Sequence, residues 1–300
     1  MYDDLIVDLT LEQVVKYLER IELFEKAQQL SESLTRTPGF CPFDLTVELL
    51  DELVYSHQLT VPFENLEIHD LHNPVLLGTE ALFDKIVNRR RGGYCFELNK
   101  SFNSLLRAFG YQTTSHLGRI QRFPVRAAES DERISPGPPS HRINLVTIYD
   151  GNVPKRYLAD VSFGGSQPAS GMLLEVGEHQ DQLGGQFNFY YGIEDEARGI
   201  TDETWLLTRI SSSGEELSVV SFEEFRQLEA NFVTPNYFTS SNPTSHFVTG
   251  RTVNIRRRDG HALVSGDVFR LTSDGETTEI EISDPEVRAG VFMEYFGIVL

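Results

Sequence analysis

Cysteine is scarce in this 300-residue chain, with Cys41 and Cys95 the only two. Two thiols cannot build a disulfide framework and no third or fourth is present for a zinc cage, so folding must rest on buried apolar surface and a reducing compartment fits best. Positive charge is also sparse. Lys and Arg number 26 against 45 Asp and Glu, a net charge of -19, which opposes binding to nucleic acid or to an anionic membrane surface. Long apolar runs are missing as well. No stretch approaches the ~20 residues that span a bilayer, and the opening MYDDLIVDLT has acids where a secretory leader needs basic residues. The expectation is a cytoplasmic protein, a monomer or weak homo-oligomer, with no metal centre and no nucleic-acid or membrane partner.

What is present is ordinary globular material, 40% hydrophobic and 24% charged, in a length sufficient for two or three packed units. Thr10 and Gln13 form a capping-box pattern ahead of LEQVVKYLERIELF, whose apolar residues recur at helical spacing. Thr37-Pro38-Gly39 interrupts, LTVELLDELVYSHQL resumes the helical period up to Val61-Pro62, and a third helical stretch runs from near Thr79 to Arg90. After Gly92-Gly93, YCFELNKSFNSLLRAFG reads as a helix with Cys95 in its first turn and Gly110 at its end. From Tyr111 the period changes. TTSHLGRIQRF, INLVTIY, KRYLADVSF, QFNFYYGI and TWLLTRI are short branched or aromatic runs between turn signals, the pattern of a barrel or sandwich.

The last part opens with SFEEFRQLEANFV, read as helical, and passes through the polar, turn-rich NYFTSSNPTSHF. Strands RTVNIRRR and HALVSGDVFRL follow, joined at Asp259-Gly260, before the helical EVRAGVFMEYFGIV. The predicted fold class is α+β: a helical domain over 1–110, a β-barrel over 111–220 and an α/β lid over 221–300.

A thiol in the first turn of a helix, preceded by glycines and arginines, has what lowers a cysteine pKa: backbone donors at the helix N-terminus and nearby positive charge. A cysteine on a Phe-rich helix is equally the pattern of a small core residue. Partners decide between the two. Of eight histidines, His141 opens the strand HRINLVTIY behind a proline-rich loop, so it projects from a rigid edge. A two-residue turn at Asp150-Gly151 would put Asp160 opposite His141, in reach of Nδ1, with Pro154 the residue that disturbs this register. An aspartate within YLADVSF is costly to bury without such a partner. Cys95, His141 and Asp160 are therefore the candidate nucleophile, base and orienting carboxylate.

At this point VPFENL (61–66), RRGGYCFELN (90–99), the strand-opening His141 and LADVSFGG (158–165) together resemble the arylamine N-acetyltransferase family, as do the later NPTSHF and FGI. The resemblance implies a helical domain, a β-barrel and an α/β lid around a cysteine-protease-like Cys-His-Asp core. It also implies acyl transfer from acetyl-CoA or another acyl-CoA to an arylamine, hydrazine or arylhydroxylamine through a Cys95 thioester. Phe163, with Phe63 and Gly164, would contact the acceptor; Gly137 and Ser241 would contact the coenzyme; Arg91 and Glu64 would pair to anchor the nucleophile's helix. The spacings from Cys95 to His141 and from His141 to Asp160, and the segment around Glu25 to Phe43, exceed those of familiar bacterial and vertebrate members and are read as loop insertions. Cys41 is read as inert and the run Arg256 to Arg258 as a solvated hairpin. Related fungal members of the family include enzymes that prefer malonyl-CoA, so an N-malonyltransferase is the alternative. A papain- or transglutaminase-like hydrolase and a non-catalytic coenzyme-binding relative are the more remote classes.

Overall fold

Thr10 caps the first helix as its sequence predicts, exchanging hydrogen bonds with Gln13. The computed structural model describes residues 7–121, 137–163, 168–177, 179–183, 185–192, 203–211 and 213–299. In chain order the elements are α1 (Leu11–Arg20), α2 (Phe24–Arg36), α3 (Val47–Thr60), β1 (Phe63–Glu64), α4 (Leu66–His69) and α5 (Thr79–Phe83). A π-helical turn (Asp84–Asn88) leads to α6 (Cys95–Phe109). Then come β2 (Gln112–Ile120), β3 (His141–Asp150), β4 (Val153–Leu158), β5 (Met172–Leu173), β6 (Gln180–Gln182), β7 (Gly185–Tyr191), β8 (Thr204–Ile210) and β9 (Glu216–Glu223). A 3-10 turn (Glu229–Phe232), α7 (Val233–Ser241), α8 (His246–Thr249), β10 (Thr252–Arg257), β11 (Gly260–Ser265), β12 (Val268–Ser273), β13 (Glu276–Glu281) and α9 (Pro285–Phe296) complete the described chain.

The helical packing is centred on α6, whose apolar face meets α1, α3 and the underside of β3 in one cluster containing Tyr17, Leu53, Leu98, Phe102 and Val146. Beside it lies an eight-stranded antiparallel sheet in the order β5-β4-β3-β2-β9-β8-β7-β6. Its two ends approach each other through a Val176–Phe189 bridge. Side chains also join them, with Gln180 bonded to the Leu173 backbone and Gln182 to the Ser170 N–H. The result is a nearly closed barrel filled by Ile143, Leu145, Phe187, Leu207 and Val220. A second antiparallel sheet, ordered β1-β10-β11-β12-β13, packs its Val253, Val264 and Phe269 against Phe292 and Phe296 of α9.

Several sequence expectations are corrected. The first helix stops at Arg20 because a Schellman closure follows it: Leu23 N–H bonds Leu18 O, Glu22 N–H bonds Glu19 O, and Glu22 takes the left-handed conformation at φ +62°. No glycine marks that stop. The segment around Glu25 to Phe43 is largely the helix α2, not a loop insertion. The stretch from Ser221 is not helical at first. Ser221 and Phe222 extend β9 across the proposed boundary at 220, pairing with both β8 and β2, and the helix begins only at Val233, the last residue of the stretch read as helical, and runs on into the stretch read as turns. The β10–β11 turn is Arg258-Asp259, with Gly260 already paired to Arg257. Glycine is required there because a Cβ would lie 2.1 Å from Thr272 O. HALVSGDVFRL forms two strands, and β13 was not anticipated. No helix among the described residues is long and apolar enough to cross a membrane.

Candidate active site

Helix α6 begins at Cys95, and what holds that end in place is the preceding glycine pair. Gly92 lies against Pro62 so closely that a Cβ would come within 1.9 Å of Pro62 O. Gly93 bridges to Phe63 in parallel fashion and accepts the Glu64 N–H at 2.9 Å. Arg91 meets Glu64 at 2.8 Å in a buried ion pair, as the sequence suggested, and Glu64 also accepts the Leu66 N–H. The separated motifs VPFENL and RRGGYCFELN are therefore one structural unit. Inside α6, Glu97 accepts the Tyr94 N–H and pairs with Lys85 at 2.7 Å, both nearly inaccessible. Burial pushes the Glu97 carboxyl up against the opposing pull of Lys85. Two of the three arginines thought to act on the sulfur are engaged elsewhere: Arg89 with Asp84, Arg91 with Glu64.

His141 is the first residue of β3. The β3–β4 hairpin turns at Gly151-Asn152, since Asp150 pairs with Val153, so the turn falls one residue later than expected and the pairing shifts by two. The Ala159 N–H to Asn144 O bond continues the ladder, and by extrapolation Ser162, not Asp160, would oppose His141. The displacement of Asp160 is two positions, which preserves the face of the strand. Asp160 accordingly still reaches the imidazole, Oδ2 to Nε2 at 2.7 Å; the nitrogen is Nε2, not the expected Nδ1. The spacing between the two residues is a paired hairpin and not a loop insertion. Pro154 is accommodated because it falls at a non-hydrogen-bonded site of that ladder, where its missing N–H costs nothing toward β3.

Cys95 neighbours the imidazole and helps to favour its charged form. Cys95 Sγ also lies 3.6 Å from Ser140 O. Cys95, His141 and Asp160 are 3%, 2% and 4% exposed, so little water screens them. Burial alone would pull His141 down; the Asp160 charge and hydrogen bond, then Cys95, outweigh it and hold His141 up at about 10. Phe163 stacks on the His141 ring, centroids 4.8 Å apart and planes 17° apart, and Phe63 packs in the cluster that contains Cys95 and Phe96. Gly164 lies outside the described residues. Gly137 is exposed, its carbonyl bonded by Arg119 at 2.5 Å, and Ser241 is exposed at the end of α7. Arg256 is buried and donates to Leu183 O, which corrects the solvated reading of that run for this residue.

Two residues at the site were not singled out from sequence. Asn99, one turn beyond Cys95, donates to Arg142 O at 2.5 Å and to Ser162 Oγ at 2.8 Å, and accepts the Val161 N–H. Gln58 of α3 ties the two ends of the loop after Asp160, donating to Asp160 O and Pro168 O. A buried asparagine on an aromatic helix face was the visible signal for the first. Gln58 left none, because its partners are more than a hundred residues away. Among the described residues no cluster of three or more His, Cys, Asp or Glu side chains is placed to hold a metal ion.

A helix-borne thiol beside a strand-borne histidine that a carboxylate holds is an arrangement that enzymes carrying acyl groups on cysteine also use. A family model described as N-acetyltransferase matches residues 46–300. An arylamine N-acetyltransferase of Mycobacterium bovis is 31% identical over 266 residues, covering 85% of this chain and 84% of the relative. An N-malonyltransferase of Fusarium pseudograminearum is 27% identical over 278 residues, covering 84% and 78% respectively. The solved arylamine N-acetyltransferase of Mycobacterium marinum in complex with CoA matches with a TM-score of 0.75 and 29% identity, over 95% of this chain and 92% of that one. The chain belongs to the arylamine N-acetyltransferase family.

Proposed function

We propose that this protein transfers an acyl group from coenzyme A to the nitrogen of an arylamine, hydrazine or arylhydroxylamine, with Cys95 as nucleophile, His141 as base and Asp160 as the carboxylate that orients it. The observation that carries the reading is the buried His141–Asp160 hydrogen bond, with the Cys95 thiol among the neighbours that favour the charged imidazole. A protonated imidazole beside a sulfur favours the nucleophilic thiolate. The thiolate attacks the thioester carbonyl, the C–S bond to the coenzyme breaks, and the departing coenzyme sulfur takes a proton from His141. An incoming amine then attacks the acyl-cysteine while His141 accepts its N–H proton. Amide leaves and the Cys95 thiolate is restored. Phe163, stacked on His141, would form the wall on which an aromatic acceptor lies, with Phe63 and Gly164 as further acceptor contacts.

Intact mass after mixing with acetyl-CoA tests this directly. A single acetyl adduct that disappears in Cys95→Ser is expected, and an adduct surviving that substitution would overturn the assignment. The Mycobacterium relatives support acetyl as the donor's acyl group. Malonyl is the second reading, favoured by the similarity to the Fusarium N-malonyltransferase across 84% of this chain. Comparing coenzyme release from acetyl, propionyl and malonyl thioesters with one arylamine separates the two. Coenzyme contacts at Gly137 and Ser241 and a cytoplasmic location belong to the same proposal, the former supported by their exposure.

A further inference from the structure

We propose that Asn99 and Ser162 are positioning residues that set the Asp160 carboxylate, within a ring of hydrogen bonds that runs from Asn99 on α6 through the Ser162 hydroxyl to Asp160 and returns through the Val161 N–H. The inference rests on the proposed roles of Cys95, His141 and Asp160. Val161 N–H can only donate and Arg142 O can only accept, so the Asn99 amide has one orientation: Oδ1 toward Val161 at 3.1 Å, Nδ2 toward Arg142 O at 2.5 Å. The same Nδ2 lies 2.8 Å from Ser162 Oγ. Because an amide N–H points at that oxygen, the Ser162 hydroxyl hydrogen is directed away from Asn99, toward Asp160 Oδ1 at 3.0 Å. Oδ1 also accepts the Ser162 N–H at 2.7 Å. One carboxylate oxygen is thus filled by two donors, and the other is left to His141 Nε2.

Every member of this ring is buried, Asn99 fully, so water does not compete for these groups and each bond is strengthened by its neighbours. The asparagine also ties the cysteine's own helix to the backbone next to His141, at Arg142, and next to Asp160, at Val161. Its removal frees the Ser162 hydroxyl to turn from Asp160 and leaves two buried backbone groups unpaired. The Cys95 to His141 distance then depends on packing alone.

The readout is the pH profile of Cys95 alkylation by iodoacetamide in the full-length protein, which follows the thiolate and not the fold. In Asn99→Ala the rate at neutral pH should fall by about tenfold and the profile should move to higher pH, the scale of one lost network bond. Ser162→Ala, which deletes a single oxygen, should move in the same direction by less, and the double variant should match Asn99→Ala alone. Profiles in both single variants superimposable on wild type, whatever their melting temperatures, overturn the inference, as do fully multiplicative effects in the double variant. Should Asn99→Ala not fold, Ser162→Ala decides by itself. Failure of the parent reading is distinguishable: there, wild-type protein takes up no acyl group at Cys95, whereas failure of the ring leaves wild-type acylation intact.

Discussion

His141 owes its protonation to neighbours that overcome burial. Its pKa is raised from 6.5 to about 10; the stability this contributes is complete below the unfolded value near 6.5 and is lost as pH rises through about 10. The melting-temperature gap between wild type and His141→Gln should therefore be widest below pH 6.5 and should narrow steadily toward pH 10. A gap independent of pH would show that the imidazolium is not what Asp160 holds. Cys95 and His141 were recognisable as residues because each sits at an element's first position, a feature written in the flanking glycines and prolines. The choice of Nε2 over Nδ1 was not: the hairpin turns one residue later than the sequence suggested, which displaces Asp160 by two positions from the place opposite His141.

The start of α6 shows how an element is held by a stretch far from it in sequence. A Cβ at Gly92 would collide with Pro62 O, and overpacking against backbone costs about 3 kcal/mol. Gly92→Ala should lose roughly that much in urea unfolding, with acyl transfer reduced further because the cysteine rides on the displaced turn. Unchanged stability would remove the glycine pair from this role. The helix itself and its Gly110 stop were legible from spacing and caps. The end of α1 was not, because its left-handed closing residue is Glu22, a type that carries no turn signal.

Across the whole molecule the three regions are joined by polar side chains. Arg142, fully buried beside His141, takes both Glu229 oxygens at 2.7 and 2.9 Å, stacks on Phe232 at 4.2 Å, and shares Glu229 with Lys100 at 3.3 Å. Burial pulls Lys100 down to about 8 despite Glu229. Glu229→Gln strands these cations and should cost about 3 kcal/mol or more, read by calorimetry. The exposed partner of Arg156, Glu224, should cost under about 1 kcal/mol when changed likewise. Equal losses would mean that the Arg142 pair does not anchor the region after β9. At the other junction Asn65 bonds Phe247 O, Gly250 O and Thr252 N–H, each at 2.7 Å, and β1 pairs with β10.

Sequence by itself determined the order helical, β, then mixed, the nucleophile's place at a helix start, and the likeness to one enzyme family. Caps, periodicity and glycine depend on neighbours a few residues away, so they can be read locally. Only the tertiary structure decided that β1 joins the last sheet, that Asp160 takes Nε2, that Glu229 holds Arg142 and that Asn99 braces both arms of the site. Those outcomes come from groups brought together across tens to hundreds of residues, where burial removes water and leaves each polar atom to find the partner the fold supplies.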